Sequence, residues 1–457
     1  MHTRFSAQQL AQPALAEAER VIKSCVRHGF CPQTCPTYVL LGDENDSPRG
    51  RIDLMRAMLE RGGAPDAKTV AHIDRCLSCL SCETTCAARV EYRSLIDCGR
   101  AYIETHFRRP LAERMLRAAI VAVLTYPRRL RTVLTLARIA RPFARLLPGR
   151  LAQMLALLPA TTRDGRSREH GHFEGVRRHR VALLAGCVQQ VMGAQVNDAT
   201  LRVLRRHGCE VVVVGGEECC GALSLHMGRE TEALTRARGL LANLMHEING
   251  AGLDAIVINI SGCGTTLKDY AHLFAGDARV RDDAAQAAAL VRDVSEWLVK
   301  LGLQANGTVP ALPIAYHDAC SLQHGQRVTA APRQLLRQAG FDVREIPERH
   351  FCCGSAGTYN LLQPVLATQL GERKARAAAA SGAVAVAAGN LGCMVQIGHH
   401  SALPLVHTIE LLDWASGGPQ PAALASLDLT RYPARAAVPK PVAAGVEEEI
   451  NFWIYAG

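Results

Sequence analysis

Aromatic residues are scarce in this chain, at 5% of 457 residues. Its cores must rest on Ala, Leu and Val, which the 48% hydrophobic content supplies amply. No G-x-G-x-x-G dinucleotide fingerprint is present, and GCGTTLK at Gly262 lacks the Walker spacing. The chain is therefore expected to bind no flavin or nicotinamide of its own, which assigns two-electron chemistry to a partner. No stretch reads as a membrane span. The longest uncharged run, Ala377 to Gly398, is interrupted by Ser381, Asn390, Cys393, Gln396 and several glycines. The start, MHTRFSAQQLAQPALAEAER, lacks the apolar run of a signal peptide. Acidic residues nearly vanish from Phe107 to Arg150, where eleven Arg stand against one acid, Glu113. No recognition motif or aromatic interleaving accompanies that charge, which argues against nucleic acid as the partner.

Cysteine is what the chain has instead. Its 17 cysteines cluster as C-x-x-C and CC groups in a large chain, which favours metal binding in a reducing compartment over disulfides. CLSCLSCETTC places Cys76, Cys79, Cys82 and Cys86 in the C-x-x-C-x-x-C-x-x-x-C frame of cubane iron–sulfur ligation. CVRHGFCPQTCP repeats the frame with Cys25, His28, Cys31 and Cys35. In paired runs of this kind the fourth Cys ligates the cluster of the other run. One cluster is therefore expected on Cys35, Cys76, Cys79 and Cys82. The other falls to Cys25, Cys31 and Cys86, with His28 where a Cys is expected.

The expected fold class is multidomain α and α/β: an N-terminal helical two-cluster ferredoxin-type domain followed by two α/β repeats. Residues 1–106 read as the cluster domain, with helices at Gln8–Lys23, Ile52–Glu60 and Arg93–His106. Residues 107–180 read as an Arg-rich linker cut into short amphipathic helices at Pro110, Pro127, Pro142 and Pro148, with Thr161–Arg180 a flexible connection. That linker either packs on a neighbouring domain or offers a basic amphipathic face to a membrane or an acidic subunit.

From Val181 the pattern alternates strand and helix, and it occurs twice, over 181–310 and 311–416. Each copy carries a lone Cys after its first strand, a Cys-Cys-Gly after its second and a last Cys after its third. In both, 31 residues separate the lone Cys from the pair. The sets are Cys187, Cys219, Cys220, Cys263 and Cys320, Cys352, Cys353, Cys393. Four soft thiolates beyond the strand ends suit zinc or iron–sulfur, not magnesium or calcium. The glycine after each pair is expected to let the backbone approach a ligand. His226, His317 and Asp318 read as surface or hydrogen-bonding residues able to line a site. Cys98 and Cys209 read as ordinary thiols, with Cys98 a weak candidate to replace a missing ligand. Residues 417–457, rich in Ala and Pro, read as an extended tail ending in GVEEEINFWIYAG.

With these segments placed, the chain resembles the iron–sulfur subunit of glycolate oxidase, with lactate-oxidising iron–sulfur proteins and heterodisulfide reductase-like CCG proteins as relatives. The resemblance rests on CVRHGFCPQTCPTYVLLGDENDSPRGRI, RCLSCLSCETTCAARVEY, ECCGALSLHMG, SGCGTTLKDY, YHDACSLQHGQ, FCCGSAGTYN and GNLGC, within residues 20 to 415. It implies an electron-transfer subunit carrying two [4Fe-4S] clusters. It also implies partner flavoproteins, bearing FAD, that oxidise glycolate or D-lactate, and delivery to a membrane quinone at the cytoplasmic face of the inner membrane. Two departures stand out. Ala87 replaces the proline after the second run, and His28 replaces a Cys. At His28 three outcomes are open: imidazole ligation of iron, a [3Fe-4S] cluster with His28 unligated, or loss of that cluster. The alternatives for the CCG sites are catalysis on a disulfide at a bound cluster, or structural zinc.

Overall fold

The computed structural model describes residues 1–142, 154–155, 178–214, 218–305 and 309–435. The expected break at Pro148, the connection up to residue 177 and the end of the tail lie outside the described residues.

Residues up to about 106 are helical. α1 (Pro13–Ser24) buries Leu15, Ala18, Val21 and Ile22, a stripe at helical spacing. The single helix expected over Gln8–Lys23 is broken ahead of Pro13, and Ala7–Leu10 forms a separate turn. α2 (Cys31–Thr34) is one short turn. α3 (Pro48–Arg61) opens where the Ser47 hydroxyl accepts from the Gly50 N–H, a turn earlier than the apolar spacing suggests. α4 (Ala67–Asp74) is capped the same way by Asp66. α5 (Ser81–Thr85) is a second short turn, and α6 (Tyr92–His106) closes the unit. Met55, Met58, Ile73, Leu95 and Ile96 fill its core together with Cys25 and Cys76, so the thiols are part of the packing.

α7 (Leu111–Leu124) begins just after Pro110 and α8 (Pro127–Ala140) on Pro127, where a missing N–H costs nothing. Ile120 and Val121 pack on Met227, and Leu130 and Leu134 pack on Val191. Part of the basic charge is structural: buried Arg109 and Arg117 both pair with Asp74, at 2.6 and 3.1 Å.

The two repeats follow. The first runs β1 (His179–Leu184), α9 (Ala194–Arg206), β2 (Cys209–Val214), α10 (Glu230–Asn249), β3 (Ala255–Ile258), α11 (Ser261–Lys268), β4 (Val291–Asp293) and α12 (Val294–Leu301). After a short strand β5 (Val309–Pro310), the second runs β6 (Pro313–His317), α13 (Ala330–Gln338), β7 (Asp342–Glu345), α14 (Pro364–Ala380), β8 (Ala385–Ala388), α15 (Leu391–His400), β9 (Leu405–His407) and α16 (Thr408–Ala415). Both sheets are parallel throughout, in the equivalent orders β2-β1-β3-β4 and β7-β6-β8-β9. Strands buried on both faces explain the unbroken apolar runs VALL and AVAA.

One core joins the repeats. Val196 and Val203 of α9, Trp297 and Leu298 of α12, Leu335 and Leu336 of α13, and Ile409 and Leu412 of α16 all belong to it. Its rim is pinned by Asp413, whose carboxylate accepts from Arg202 at 2.6 Å and Arg206 at 2.7 Å across the boundary. The start of the expected extended tail departs from that reading. Leu424 is buried, and β10 (Ala434–Arg435) pairs antiparallel with β5. Among the described residues no helix is long and apolar enough to cross a membrane.

Candidate metal centres

The two N-terminal loops are wound alike. Positive φ occurs two and four residues after Cys25, at Arg27 (59°) and Gly29 (87°). It occurs again two and four residues after Cys76, at Ser78 (50°) and Leu80 (62°). Non-glycine residues rarely hold that conformation, so three such residues in two short loops mark an over-determined backbone. The winding turns successive Cys side chains inward. α2 and α5 then carry the third position of each frame, Cys31 and Cys82, and Cys35 and Cys86 cap their C-terminal ends.

The caps cross over, as the spacing rule expects. Cys25, His28, Cys31 and Cys86 line one small cavity of about 30 Å³ with Arg49 and Val90. Cys35, Cys76, Cys79 and Cys82 line another of about 20 Å³ with Thr37, Arg51 and Tyr92. Burial pushes the Cys31 thiol up to about 11, and the Cys25 and Cys86 thiols add to the shift. Burial pushes Cys82 well up too, followed by Cys79, Cys76 and Cys35. Thiols this enclosed and facing a common cavity resist ionising unless a cation takes the proton's place, so both sets fit a thiolate-bound metal group.

The surroundings of the two sets differ. His28 is exposed, near Phe30, which is 53% exposed, and Val26, 59% exposed. The second set is sealed. Arg51, 1% exposed, donates from Nη1 to Cys35 Sγ at 3.7 Å, from Nη2 to Thr37 at 2.9 Å and from Nε to the His72 carbonyl at 2.7 Å. Its charge is met by buried Asp46 at 3.1 Å, which Arg75 also reaches at 2.9 Å. Tyr92 donates to Cys76 Sγ at 3.8 Å, and Ser78 N–H lies 3.4 Å from the same sulfur. Arg51, Asp46 and Tyr92 are site residues that spacing did not single out. An Arg and an Asp five residues apart read as an ordinary helix-start pair.

Each CCG set gathers at the C-terminal end of its sheet. Cys187 and Cys219 sulfurs lie 3.7 Å apart, as do those of Cys320 and Cys352. Hydrogen bonds from Cys187 and Cys220 pull Cys219 well below the ordinary thiol range, and the same bonds push its two neighbours up. Cys320 is pushed up by its bond to Cys352 and then by burial. Packing against a neighbouring helix accounts for the glycine after each cysteine pair. Gly221 (φ 85°) and Gly354 (φ 89°) sit against the following helix, where an added Cβ would lie 2.7 Å from the Ala233 and Ala367 carbonyl oxygens. They bring the cysteine pair onto α10 and α14.

Both tetrads open on one cavity of about 280 Å³, roofed by Leu124 of α7 and Leu130 of α8. The repeats are clasped beside it. Asn390 donates to Ser261 Oγ at 2.7 Å, and Ser261 and Ser321 hydroxyls meet at 2.7 Å. The N-terminal domain abuts the same place: Leu77 and Cys79 pack in one cluster with Cys320 and Cys352.

Of the flanking residues, Asp318 is tied up in a bidentate pair with Arg333 at 2.7 and 2.5 Å. His226 lines the cavity and lies 3.8 Å from Asp97. His317, expected at a surface or in a hydrogen bond, is 1% exposed, and neither ring nitrogen has a hydrogen-bond partner. Burial, followed by the Lys374 charge, pulls its imidazole down to about 3. Cys98 donates to the Ala14 carbonyl at 3.7 Å, facing α1, and Cys209 lies in the core shared by the repeats; both thiols stand apart from the four sets. A wider cleft of about 890 Å³ between the N-terminal domain and the first repeat carries only Cys98 among the cysteines.

A 4Fe-4S dicluster domain family matches residues 23–91, and a Cysteine-rich domain family matches twice, at 181–268 and 314–398. The chain is thus a dicluster domain joined to paired cysteine-rich domains, a content that supports bound iron–sulfur clusters. It is 36% identical to the glycolate oxidase iron-sulfur subunit of Escherichia coli (strain K12), over 91% of this chain and 99% of that one. It is 30% identical to a probable glycolate oxidase iron-sulfur subunit of Bacillus subtilis (strain 168), over 87% and 95%. It is 27% identical to lactate utilization protein A of Oceanobacillus iheyensis, over 51% and 96%. The chain belongs to the family of glycolate oxidase iron–sulfur subunits.

Proposed function

We propose that the chain is the electron-transfer subunit of a flavin-dependent glycolate or D-lactate dehydrogenase, passing electrons from partner flavoproteins towards a membrane quinone. The observation that carries this reading is the serial placement of the thiol sets. The His28 set lies near the surface, the sealed Cys35 set lies behind it, and Cys79 packs against Cys320 and Cys352 of the second repeat. In this reading Cys25, Cys31 and Cys86, with His28, hold one cluster, and Cys35, Cys76, Cys79 and Cys82 hold the other. The two CCG tetrads hold further metal groups, iron–sulfur in preference to zinc. Bound clusters supply one-electron relay chemistry. The chain's own residues set their environment: Arg51, Tyr92 and Thr37 solvate the second set with hydrogen bonds, and Leu124 and Leu130 exclude water from the tetrads. The flavin belongs to the partners, since no dinucleotide motif occurs here.

The site of action is the cytoplasmic face of the inner membrane, held peripherally. Leu111, Met115, Leu136 and Ile139 of α7 and α8 are 60 to 68% exposed. They lie among arginines, the combination that seats a helix in an anionic lipid surface.

Co-purification tests the assignment. The tagged chain is expected to bring down flavoprotein subunits, with glycolate-dependent dye reduction that disappears when this chain is left out. Full dye reduction by the flavoproteins alone, or recovery of the tagged chain without them, sinks it. A second reading is favoured by the cavity common to both tetrads: catalysis on a disulfide held between them. Disulfide reduction by the isolated chain, driven by a supplied one-electron reductant such as reduced viologen and absent when the chain is left out, would establish that reading instead.

A further inference from the structure

The two tetrads are not equivalent. His317 ends β6, three residues before Cys320, and pairs in register with Ala388 of β8. The corresponding residue of the first repeat, three before Cys187 at the end of β1, is Leu184, packed with Cys219 and Cys220 in an apolar cluster. A second exchange accompanies it. Lys374 lies seven residues after Ala367, the residue that Gly354 touches, and is 2% exposed. Seven residues after Ala233, the matching contact of Gly221, stands Leu240, also buried. The second tetrad thus has an imidazole and an ammonium where the first has two leucines.

The imidazole points at the thiols. A His317 ring nitrogen and the sulfurs of Cys353 and Cys393 lie within 4.8 Å of one another, all three residues buried. Both ring nitrogens are enclosed without a hydrogen-bond partner. A buried polar group left unpaired is destabilising, so such a side chain persists where something else satisfies it. Lys374 is not that partner, since its Nζ donates to the Glu348 carbonyl at 2.8 Å. What remains within reach is the group the four cysteines hold, and imidazole nitrogen is an ordinary ligand beside thiolate for iron and zinc.

We propose that His317 is a fifth ligand of the second tetrad, binding through a ring nitrogen the metal group held by Cys320, Cys352, Cys353 and Cys393, and that the first tetrad has no such ligand. The inference rests on the reading of the tetrads as iron–sulfur sites. Neutral imidazole binds without losing a proton, so ligation changes neither the charge nor the proton count of the site.

The test uses the full-length chain purified with its clusters, histidine labelled with ¹⁵N, reduced and examined by pulsed electron-spin-resonance. His28→Ala removes the other candidate nitrogen. The expected result is a histidine-nitrogen coupling of directly bonded strength that survives in His28→Ala and is lost when His28→Ala is combined with His317→Leu, the residue of the first repeat, or with His317→Asn, which keeps a polar side chain. No histidine-nitrogen coupling in His28→Ala, or the same coupling in either of these double His317 variants, overturns the proposal. Cys393→Ser separates the two levels of failure. If it leaves iron per chain unchanged, the tetrad is not an iron site and the underlying reading fails. If it loses iron while the His317 variants keep the nitrogen signal, only the fifth ligand fails.

Discussion

Arg51 is the side chain on which the sealed thiol set most depends. It is a buried cation whose hydrogen bonds go to Cys35, Thr37, Asp46 and a carbonyl. Arg51→Met keeps the stem and removes the charge. Asp46 keeps Arg75, yet loses its fully buried partner, so stability should fall by about 3–5 kcal/mol, read by urea unfolding. The same change withdraws a positive donor from the sulfur of Cys35, a proposed ligand, so the midpoint potential of the cluster proposed there should shift to more negative values in a redox titration. An unchanged potential in protein that still binds iron would remove Arg51 from the proposed environment. His28 is the complementary case. The backbone around it is wound as around Cys79, so His28→Cys restores a thiol at the matching position without rearrangement. A thiolate in place of neutral imidazole adds negative charge, and the first cluster's potential should fall while iron per chain stays constant or rises. Identical spectra and potentials in both proteins would show that His28 is not a ligand.

Elements carry the next level of constraint. Gly354→Ala puts a methyl 2.7 Å from the Ala367 carbonyl at a φ that L-residues avoid. A loss of about 1–3 kcal/mol and reduced iron retention are expected, measured by unfolding and metal analysis. α16 shows how a cap spans the repeats. His407 Nδ1 accepts from the Ile409 N–H at 3.2 Å, while Nε2–H donates to the Asn259 carbonyl of the first repeat at 3.1 Å. Burial pulls this imidazole down to about 4 from its ordinary 6.5. A depressed folded pKa means the unfolded chain takes up the proton first. The contribution is complete above about pH 6.5 and is lost as pH falls towards 4, on the order of 3 kcal/mol in all. Urea midpoints of wild type and His407→Gln should therefore differ more at pH 7.5 than at pH 4.5; a constant gap would contradict the assignment.

Most of these elements were legible in the sequence because they are periodic and long. The apolar spacing predicts helices over about 195–206, 230–248 and 363–380, and they run over 194–206, 230–249 and 364–380. β4 and β9 were not, since three residues show no alternation. β10 was hidden for another reason: a two-residue pairing across more than a hundred positions leaves no local trace. In the site, the cysteine sets were legible by spacing alone, while Arg51, Asp46, Tyr92 and the inward turn of His317 depend on packing between elements distant in sequence.

At the scale of the whole molecule, the arginine-rich hairpin α7–α8 joins three parts. Its inner face roofs the cavity, two of its arginines tie it to Asp74, and its outer face stays apolar between charges. The packed reading describes its inner face, and the membrane reading is left to a test at its outer face. Leu136→Asp with Ile139→Asp alters only exposed positions, so stability should move by no more than about 0.5 kcal/mol. Flotation with vesicles containing anionic lipid should fall several-fold. Undiminished flotation would move the membrane contact elsewhere on the chain.

The leucine-for-histidine exchange between the repeats has a consequence for ancestry. In a symmetric dimer of one repeat, every substitution is made twice, so both sites would gain the imidazole or neither would. Duplication within one chain lifts that restriction. Once the two halves are covalently fused around a common core, one can keep an oily site while the other acquires a polar one, and a pair of identical stations becomes a sequence with a direction.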